Sequence, residues 1–466
     1  MRSRVPRASL LPAMLLAAML AAPGIADEPA PAATAPSPPA SPQTPVKGAD
    51  THLLQAVRVV ADRISDLTRV RAAVPLVGVR ADAASRQAEA KARAARWLPE
   101  PTALARGRAW KDLGLGTGTA PGELVTALAA DLDGIGLDAE GRRLLVDPAR
   151  LGEGEGKADP STDEASSVML ATGVAPDEVV VAHYAAHLLL DLPAWPAPPT
   201  TDALLARAAL SEGGANLAAL IFLFSGVELE SEVVGGKLRP DDALGGRLVP
   251  ESVRTSSASV ASLLEFAYLD GFAQAAALVK SGEFSRLGVE RKRRMTTRDV
   301  LHLDRPPADP AEIAPPQIPS GSGLEVADRD SLGEQGIITL VSLETGKDNL
   351  GMIAGDGWVG DAVFRLEAPG KPEEGATVWT SVFATEEDAK DMEYALGRCL
   401  ASRFPGETVI DGSDGGKSLA RGEKVYRLRR SGGRVSFRVA PPALDAKLEN
   451  PSGGKASERR SPPQKK

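Results

Sequence analysis

Two histidines of this sequence are spaced so that they could hold one metal ion. The chain of 466 residues has four histidines, and His183 and His187 lie four positions apart. On a helix this spacing places both imidazoles on one face, one turn apart. The residues from Pro176 to Glu178 are typical of a helix start, and Pro193 and Pro196 end the apolar run that follows. The sequence therefore predicts a helix that presents two metal ligands.

Glu212 is a third candidate ligand, on a second predicted helix from Asp202 to Phe224. Its neighbours on the same helical face are apolar: Leu205, Ala208, Ala209, Ala215 and Ala219. A carboxylate on an apolar stripe is costly to bury unless a partner pairs with it. Gly213 and Gly214 follow at once, and because each costs about 1 kcal/mol relative to alanine, they indicate that another helix approaches closely. Two histidines and one glutamate make a three-ligand zinc site with a fourth position open for water.

The stretches Val181–His187 and Leu210–Ala215 resemble the zincin metallopeptidases of the gluzincin type, which carry H-E-x-x-H and a downstream glutamate. More narrowly, the chain is similar to a family of exported bacterial proteins with the patterns His-Glu-Leu-x-His-Ala-Leu-Gln-Asp-Gln and Ala-Leu-x-Glu-Gly-Asp-Ala. On this resemblance, His183, His187 and Glu212 match the zinc ligands. Asp191 matches an aspartate one turn past the second histidine, so the resemblance implies that it supports the ligands without binding the ion.

The sequence departs from the family pattern at three polar positions. Tyr184 stands where the family has the catalytic glutamate, Leu190 where it has a glutamine, and Gly214 where it has an aspartate, so the motif reads H-Y-x-x-H and E-G-G-A. In the family, the missing glutamate moves a proton from zinc-bound water to the leaving amine. Such positioned groups contribute about 10²–10⁴-fold to the rate. A tyrosine with an ordinary pKa of about 10 is a poor base at neutral pH.

Three interpretations of this site remain open. The first is an exported zincin-like protein with impaired catalysis, a pseudoenzyme that retains zinc and binds a peptide or a protein partner. The alternative is an active zinc-dependent metallopeptidase in which Tyr184 or Glu178 replaces the lost base, or in which hydroxide attacks without one. In the third, His183 and His187 pack against Glu212 without any metal. The sequence therefore leaves open whether the protein is an enzyme.

Other segments resemble the same family. Thr296 to His302 resembles Thr-Thr-Glu-Gln-Val-Leu-His, and Glu265 to Gly271 resembles Phe-Pro-Tyr-x-x-Gly. His302 is either a residue near the metal that stabilises the transition state or a structural histidine that satisfies loop backbone groups before Pro306. The strand predicted at Leu144 to Val146 occupies a slot that, in zincins, holds extended substrate by β-augmentation.

Charge and the N-terminus bear on compartment and partners. The net charge of −8 gives no support for nucleic-acid binding by bulk electrostatics. Residues 1–26 read as a secretory signal peptide, because three arginines precede an apolar run, Leu10 to Ala22, that is short for a membrane span. This predicts a periplasmic or extracellular protein with no stable membrane anchor after cleavage; an uncleaved anchor is the alternative. The single cysteine, Cys399, is expected to fill a buried apolar position.

Composition divides the chain into segments. Residues 27–48 are a Pro/Ala-rich disordered linker, 49–310 a helical zincin-like domain, and 311–330 a second linker. Residues 331–440 form a small α+β module, and 441–466 a disordered tail. The predicted fold class is α+β and predominantly helical, with a two-helix metal site in the core.

Within these segments, helices are predicted at the start and middle of the chain and mixed elements at its end. The helices lie in Thr51–Trp97 (two, the second from Ala81), Thr119–Leu132, Ser256–Lys280 and Thr385–Phe404. The strands of the final module are predicted at Ala362–Leu366 and Val378–Phe383, with a hairpin formed by Lys424–Arg429 and Arg434–Val439.

Overall fold

The computed structural model describes most of the chain between Thr51 and Glu449. The described residues are 51–68, 70, 77–132, 134–138, 143–147, 174, 176–190, 199–224, 248–279, 295–302, 305–306, 309–411 and 416–449. They all belong to one compact unit, Lys47–Lys466. The predicted signal peptide, the first linker and Asp191 lie outside the described residues.

The N-terminal part is mainly helical. Its elements are α1 (Thr51–Thr68), β1 (Val77–Arg80), α2 (Ala83–Trp97), α3 (Glu100–Leu113), α4 (Ala120–Leu128), β2 (Ile135–Leu137), β3 (Arg143–Val146), α5 (Pro176–Leu189), α6 (Thr201–Leu223), α7 (Ser252–Thr255), α8 (Ala258–Glu265), α9 (Gly271–Val279) and α10 (Thr297–Leu301). A π-helical turn, Phe266–Asp270, joins α8 to α9. The three strands form a small sheet of order β1-β3-β2, in which β1 runs parallel and β2 antiparallel to β3. The strand predicted at Leu144 to Val146 is confirmed as β3.

Helices α5 and α6 lie at the centre of the core, and both are confirmed close to their predicted bounds. Of the 23 residues of α6, 18 are buried, including Gly213 and Gly214. A Cβ on Gly213 would lie 2.1 Å from the backbone carbonyl carbon of Gly271, at the start of α9. The backbones of α6 and α9 therefore meet without side chains between them, which is the close approach that the sequence predicts.

The C-terminal part is an antiparallel sheet covered by helices. Its elements are β4 (Glu325–Asp330), α11 (Gly333–Thr345), α12 (Asp348–Gly355), β5 (Trp358–Ala368), β6 (Lys371–Phe383), α13 (Glu386–Arg403), β7 (Ile410–Asp411), β8 (Lys417–Arg421), β9 (Lys424–Ser431), β10 (Arg434–Ala440) and α14 (Pro442–Glu449). The strand order is β4-β5-β6-β10-β9-β8-β7. The chain is thus α+β and predominantly helical, as predicted. Helix α13 starts at a capping box formed by Thr385 and Asp388, and Cys399 on it is buried.

The end of β4 positions the helix that carries Glu212. The carboxylate of Asp330 accepts hydrogen bonds from Thr201 N (2.6 Å) and Thr201 Oγ1 (2.7 Å), and Asp202 N donates to Ser331 O at 2.8 Å. These contacts satisfy backbone donors that the first turn of a helix leaves free. Nearby, Arg106 on α3 pairs with Asp328 at 3.0 Å. The sheet therefore fixes the start of α6 through buried polar contacts.

The structure corrects two predicted boundaries. Residues 325–330 of the predicted second linker form β4, and residues 442–449 of the predicted tail form α14. Both segments are rich in charged residues, so their hydrophobicity pattern does not indicate a strand or a helix. Their buried aspartates form ion pairs: Asp328 with Arg106, and Asp445 on α14 with Arg427 at 2.8 Å. In the described part of the chain, no helix combines the length and apolar character needed to cross a bilayer.

Asp202 gives the fold a testable pH dependence. Burial raises the pKa of Asp202 to about 7, although hydrogen bonds from Thr297 N and Oγ1 oppose the shift. Because the folded-state pKa lies above the ordinary value, the protonated side chain stabilises the fold at low pH, and this contribution is lost as the pH rises through about 7. From about pH 5 to about pH 7, we expect wild type to lose about 2 kcal/mol more free energy of unfolding than Asp202→Asn, measured by urea denaturation.

Glu100→Gln is the matched control for this prediction. Glu100 is an exposed acidic residue in the first turn of α3, so the variant removes the same charge from a comparable position. Its stability curve should run parallel to that of wild type. A constant difference between wild type and Asp202→Asn across this pH range would show that Asp202 titrates normally.

Candidate metal site

Three donor atoms from α5 and α6 converge in the core. The Nε2 atoms of His183 and His187 are 3.0 Å apart, and each lies 3.4 Å from Oε2 of Glu212. Both histidines are buried, with 1% and 4% of their surface exposed. The structure thus brings together the three ligands that the sequence predicts, and they are the group among the described residues that could hold a metal ion.

The donor set fits a tetrahedral zinc ion. With zinc–ligand distances of about 2.0–2.1 Å, two ligand atoms of a tetrahedral site lie about 3.3 Å apart, close to the 3.0 and 3.4 Å separations here. Two imidazole nitrogens and a carboxylate oxygen at this distance repel one another unless a cation or a proton lies between them. The residues therefore fit zinc in both ligand type and spacing.

Hydrogen bonds on the far side of each ring hold the imidazoles in place. Nδ1 of His183 donates to Oδ1 of Asn216 at 2.9 Å, which leaves the Nε2 lone pair of His183 for the ion. Nδ1 of His187 lies 3.0 Å from Oγ of Ser211. Asn216 is fully buried one turn after Glu212 on α6. Helix α6 therefore supplies one ligand and the supports for the other two.

The environment favours a neutral His183 and an ionised Glu212, the forms in which these two residues bind metal. Burial lowers the pKa of His183, because the imidazolium would lose its hydration, although Glu212 opposes this. Burial alone would raise the pKa of Glu212, but the charge of His187 and hydrogen bonds from both imidazoles hold this pKa below its ordinary value. A neutral imidazole and an ionised carboxylate are the ligand forms that a divalent cation requires.

Tyr184 points its hydroxyl at a loop. The hydroxyl accepts a hydrogen bond from Leu132 N at 2.9 Å and donates to Ala130 O at 3.4 Å. Burial raises the pKa of Tyr184 well above its ordinary value, although the positive charge of Arg93 opposes the shift. The residue in the position of the lost glutamate is therefore a buried phenol engaged with backbone.

A cavity opens beside the ligands. The space measures about 690 Å³, part of which is open solvent, and His187, Glu212, Tyr184 and Tyr268 line it. Among the described residues that line it, Glu212 is the only carboxylate. Glu178, the other predicted substitute for the base, is exposed on α5 and does not line the cavity. A molecule in this space would reach the metal ligands directly.

Tyr268 is a site residue to which the sequence analysis gave no role. It lies on the π-helical turn and is 3% exposed. Burial, the charge of Glu212 and a hydrogen bond to Glu212 raise the pKa of Tyr268 well above its ordinary value. A π-helical turn often marks a functional position, and the signal in the sequence was the resemblance of residues 265–271 to the family pattern. The tyrosine hydroxyl therefore supports the carboxylate ligand.

His302 lies elsewhere in the fold. Its Nε2 is 2.7 Å from Oε1 of Glu334 on α11, and it does not line the cavity. The structure therefore does not bring His302 to the metal ligands, and the interpretation as a residue near the metal is not supported. The ring of His302 contacts the buried carboxylate of Glu334, and not the loop backbone groups that the structural interpretation named.

Comparison with known proteins covers only the C-terminal part. Residues 323–448 match a family described as a domain of unknown function, DUF8575. The match spans β4 to β10, the helices between them and nearly all of α14, so the three candidate ligands lie outside it. No curated protein and no solved structure matches the chain.

Tyr268→Phe tests the support of Glu212. The variant removes only the hydroxyl, and we expect zinc affinity to fall about tenfold, because outer hydrogen-bond partners of metal ligands contribute about 10–100-fold. Competition with a chromogenic chelator measures this directly. Tyr394→Phe is the control, since Tyr394 is 58% exposed on α13 and should leave zinc affinity unchanged. Equal affinity in wild type and Tyr268→Phe would mean that the hydroxyl does not act on the ligand.

Proposed function

We propose that His183, His187 and Glu212 bind one zinc ion, and that the protein is a zincin-like protein with impaired peptidase activity that acts by binding. The observation that carries the proposal is the convergence of three metal-ligand atoms at 3.0 and 3.4 Å in the buried core. Ligands four residues apart on one helix and a glutamate on the next helix, beside a small sheet, support the zincin resemblance.

The loss of activity is argued from the missing base. A zinc ion here would lower the pKa of a bound water to near neutrality. Peptide hydrolysis also needs a group that moves a proton from this water to the leaving amine. Tyr184 is engaged with Leu132 and Ala130, and the one described carboxylate in the cavity is Glu212, which is itself a ligand. Without that group we expect the rate to be lower by about 10²–10⁴-fold.

Metal analysis of the purified mature protein tests the proposal. We expect about one zinc per chain in wild type and none in His183→Ala/His187→Ala, and no chelator-sensitive cleavage of casein by wild type. No zinc in wild type, even after zinc addition, would favour a cluster that packs without metal. Chelator-sensitive cleavage would instead establish an active metallopeptidase. Export remains a prediction, which fractionation of the producing cells would test.

A further inference from the structure

Arg93 is a buried cation that lines the cavity beside the candidate ligands. The residue is 5% exposed, and its Nη atoms donate to the backbone carbonyls of Leu137, Asp138 and Ala129. Its Nε is buried without a hydrogen-bond partner. Within the described part of the chain, no carboxylate lies at ion-pair distance from this guanidinium. A buried charge without a directly paired counter-ion is costly, so an anion that reaches this guanidinium would stabilise it.

Two aspartates that act on Arg93 are already paired with other arginines, and Glu212 contacts the histidines. Asp131 forms an ion pair with Arg86 at 2.8 Å, and Asp138 with Arg143 at 2.7 Å. Burial lowers the pKa of Arg93, although the charges of both aspartates and of Glu212 still oppose this shift. The direct contacts of the guanidinium are neutral backbone carbonyls and the ring of Trp97, 6.0 Å from ring centroid to Cζ, which orient it without forming an ion pair.

The described walls of the cavity carry positive charge and apolar surface. Arg207 lines the cavity together with Arg93, and among the described lining residues Glu212 is the only acidic one. The remaining titratable side chains are Tyr184, Tyr268 and His187. With a divalent cation on the ligands, the formal charges of the described lining residues sum to a positive value. The apolar part of the wall is formed by Trp97, Leu128, Leu137 and Leu204.

The strand beside the cavity is not free to pair with an extended peptide. β2 is an edge strand of the small sheet, and Leu137 on it lines the cavity. The N–H and C=O of Ile135 are hydrogen bonded to Leu132 at 2.9 and 3.0 Å, and the carbonyl of Leu137 accepts from Arg93 at 3.0 Å. Peptide binding by β-augmentation needs free groups on such an edge. The chain itself occupies them.

From these contacts we infer that the cavity binds a small organic carboxylate, with one carboxylate at Arg93 and Arg207, an apolar body against Trp97 and the leucines, and a second polar group at the metal. The part that concerns the metal rests on the proposed function. The arginine end does not, because Arg93 and Arg207 line the cavity whether or not zinc is bound.

Isothermal titration with two related acids tests the inference. The probes are 2-benzylsuccinate, which has two carboxylates and an apolar ring, and 3-phenylpropionate, which lacks one carboxylate. We expect the diacid to bind wild type about 10–100-fold more tightly, since a charge-assisted hydrogen bond contributes on that scale. Arg207→Gln should reduce this preference at least about tenfold. Arg93→Lys, which keeps the positive charge but cannot form two parallel hydrogen bonds to a carboxylate, should also reduce it. Arg96→Gln, an exposed position on the same helix, should preserve it.

Three results would overturn the inference: equal binding of the two acids, an unchanged preference in both arginine variants, or no binding of either acid. The C-terminal carboxylate of a peptide is the other possible source of this chemistry, and a hexapeptide that ends in phenylalanine with a free carboxylate tests it. If this peptide binds more tightly than 2-benzylsuccinate, the assignment to a small molecule is overturned. Zinc content is measured on the same samples. If wild type contains no zinc and still prefers the diacid, and if Arg207→Gln reduces this preference, then the zinc proposal is refuted but the inference about the arginines is not.

Discussion

Gly213→Ala is expected to destabilise the protein by at least about 3 kcal/mol and to disrupt the metal site. A Cβ at this position would lie 2.1 Å from the carbonyl carbon and oxygen of Gly271 and 2.5 Å from the backbone N of Phe272. These are backbone atoms, so no rotamer change relieves the overlap. Helices α6 and α9 would have to separate, and this would displace Glu212 and Tyr268 from each other. Urea denaturation gives the loss of stability.

The direction of the change in stability distinguishes an effect of packing from an effect of helix propensity. Alanine is favoured over glycine in a helix interior by about 1 kcal/mol, so propensity alone would make the variant more stable. Gly122→Ala is the matched control, because Gly122 lies within α4 and a Cβ there would meet no atom within 4 Å. We expect that control to gain up to about 1 kcal/mol. Stability of Gly213→Ala equal to or above wild type would mean that the two helices are not closely packed.

The ligands were predictable because their signals are local. His183 and His187 share a helical face at a spacing that can be read from the sequence, and Glu212 stands out as a carboxylate on an apolar stripe. The predicted helices around them are confirmed as α5 and α6. The same holds for the final module, where Thr385 caps α13 and a short turn joins the strands β9 and β10.

The rest of the site depends on contacts between distant segments. Arg93 belongs to a charge-rich helix that reads as a solvated surface, and its burial follows from carbonyls more than 35 positions away along the chain. The predicted helical pattern of residues 51–97 also contains β1, a strand of four residues that forms because β3 offers a parallel partner. Helix α3, which the sequence analysis did not predict, packs where Arg106 reaches Asp328. Pattern and propensity carry no information about such pairings.

Glu212→Gln is expected to weaken zinc binding by more than about a hundredfold, beyond the range of outer hydrogen-bond partners. Glutamine keeps the size of the side chain but removes the negative charge between two imidazoles that lie 3.0 Å apart. The folded protein should tolerate the change, because the amide can donate to an imidazole nitrogen in the absence of metal. Chelator competition measures the affinity. Glu178→Gln, an exposed position on α5, should behave as wild type.

The same variant decides how Tyr268 acts. If the tyrosine works through the carboxylate of Glu212, then Tyr268→Phe should have little further effect in a Glu212→Gln background, and the double variant should show a clear coupling. Additive losses would instead mean that Tyr268 acts on the ion, or on a molecule bound to it, independently of Glu212. Unchanged zinc affinity in Glu212→Gln would exclude Glu212 as a ligand. The contacts of 3.4 Å from Glu212 to the two histidines would then be a protein-only cluster that holds α5 against α6.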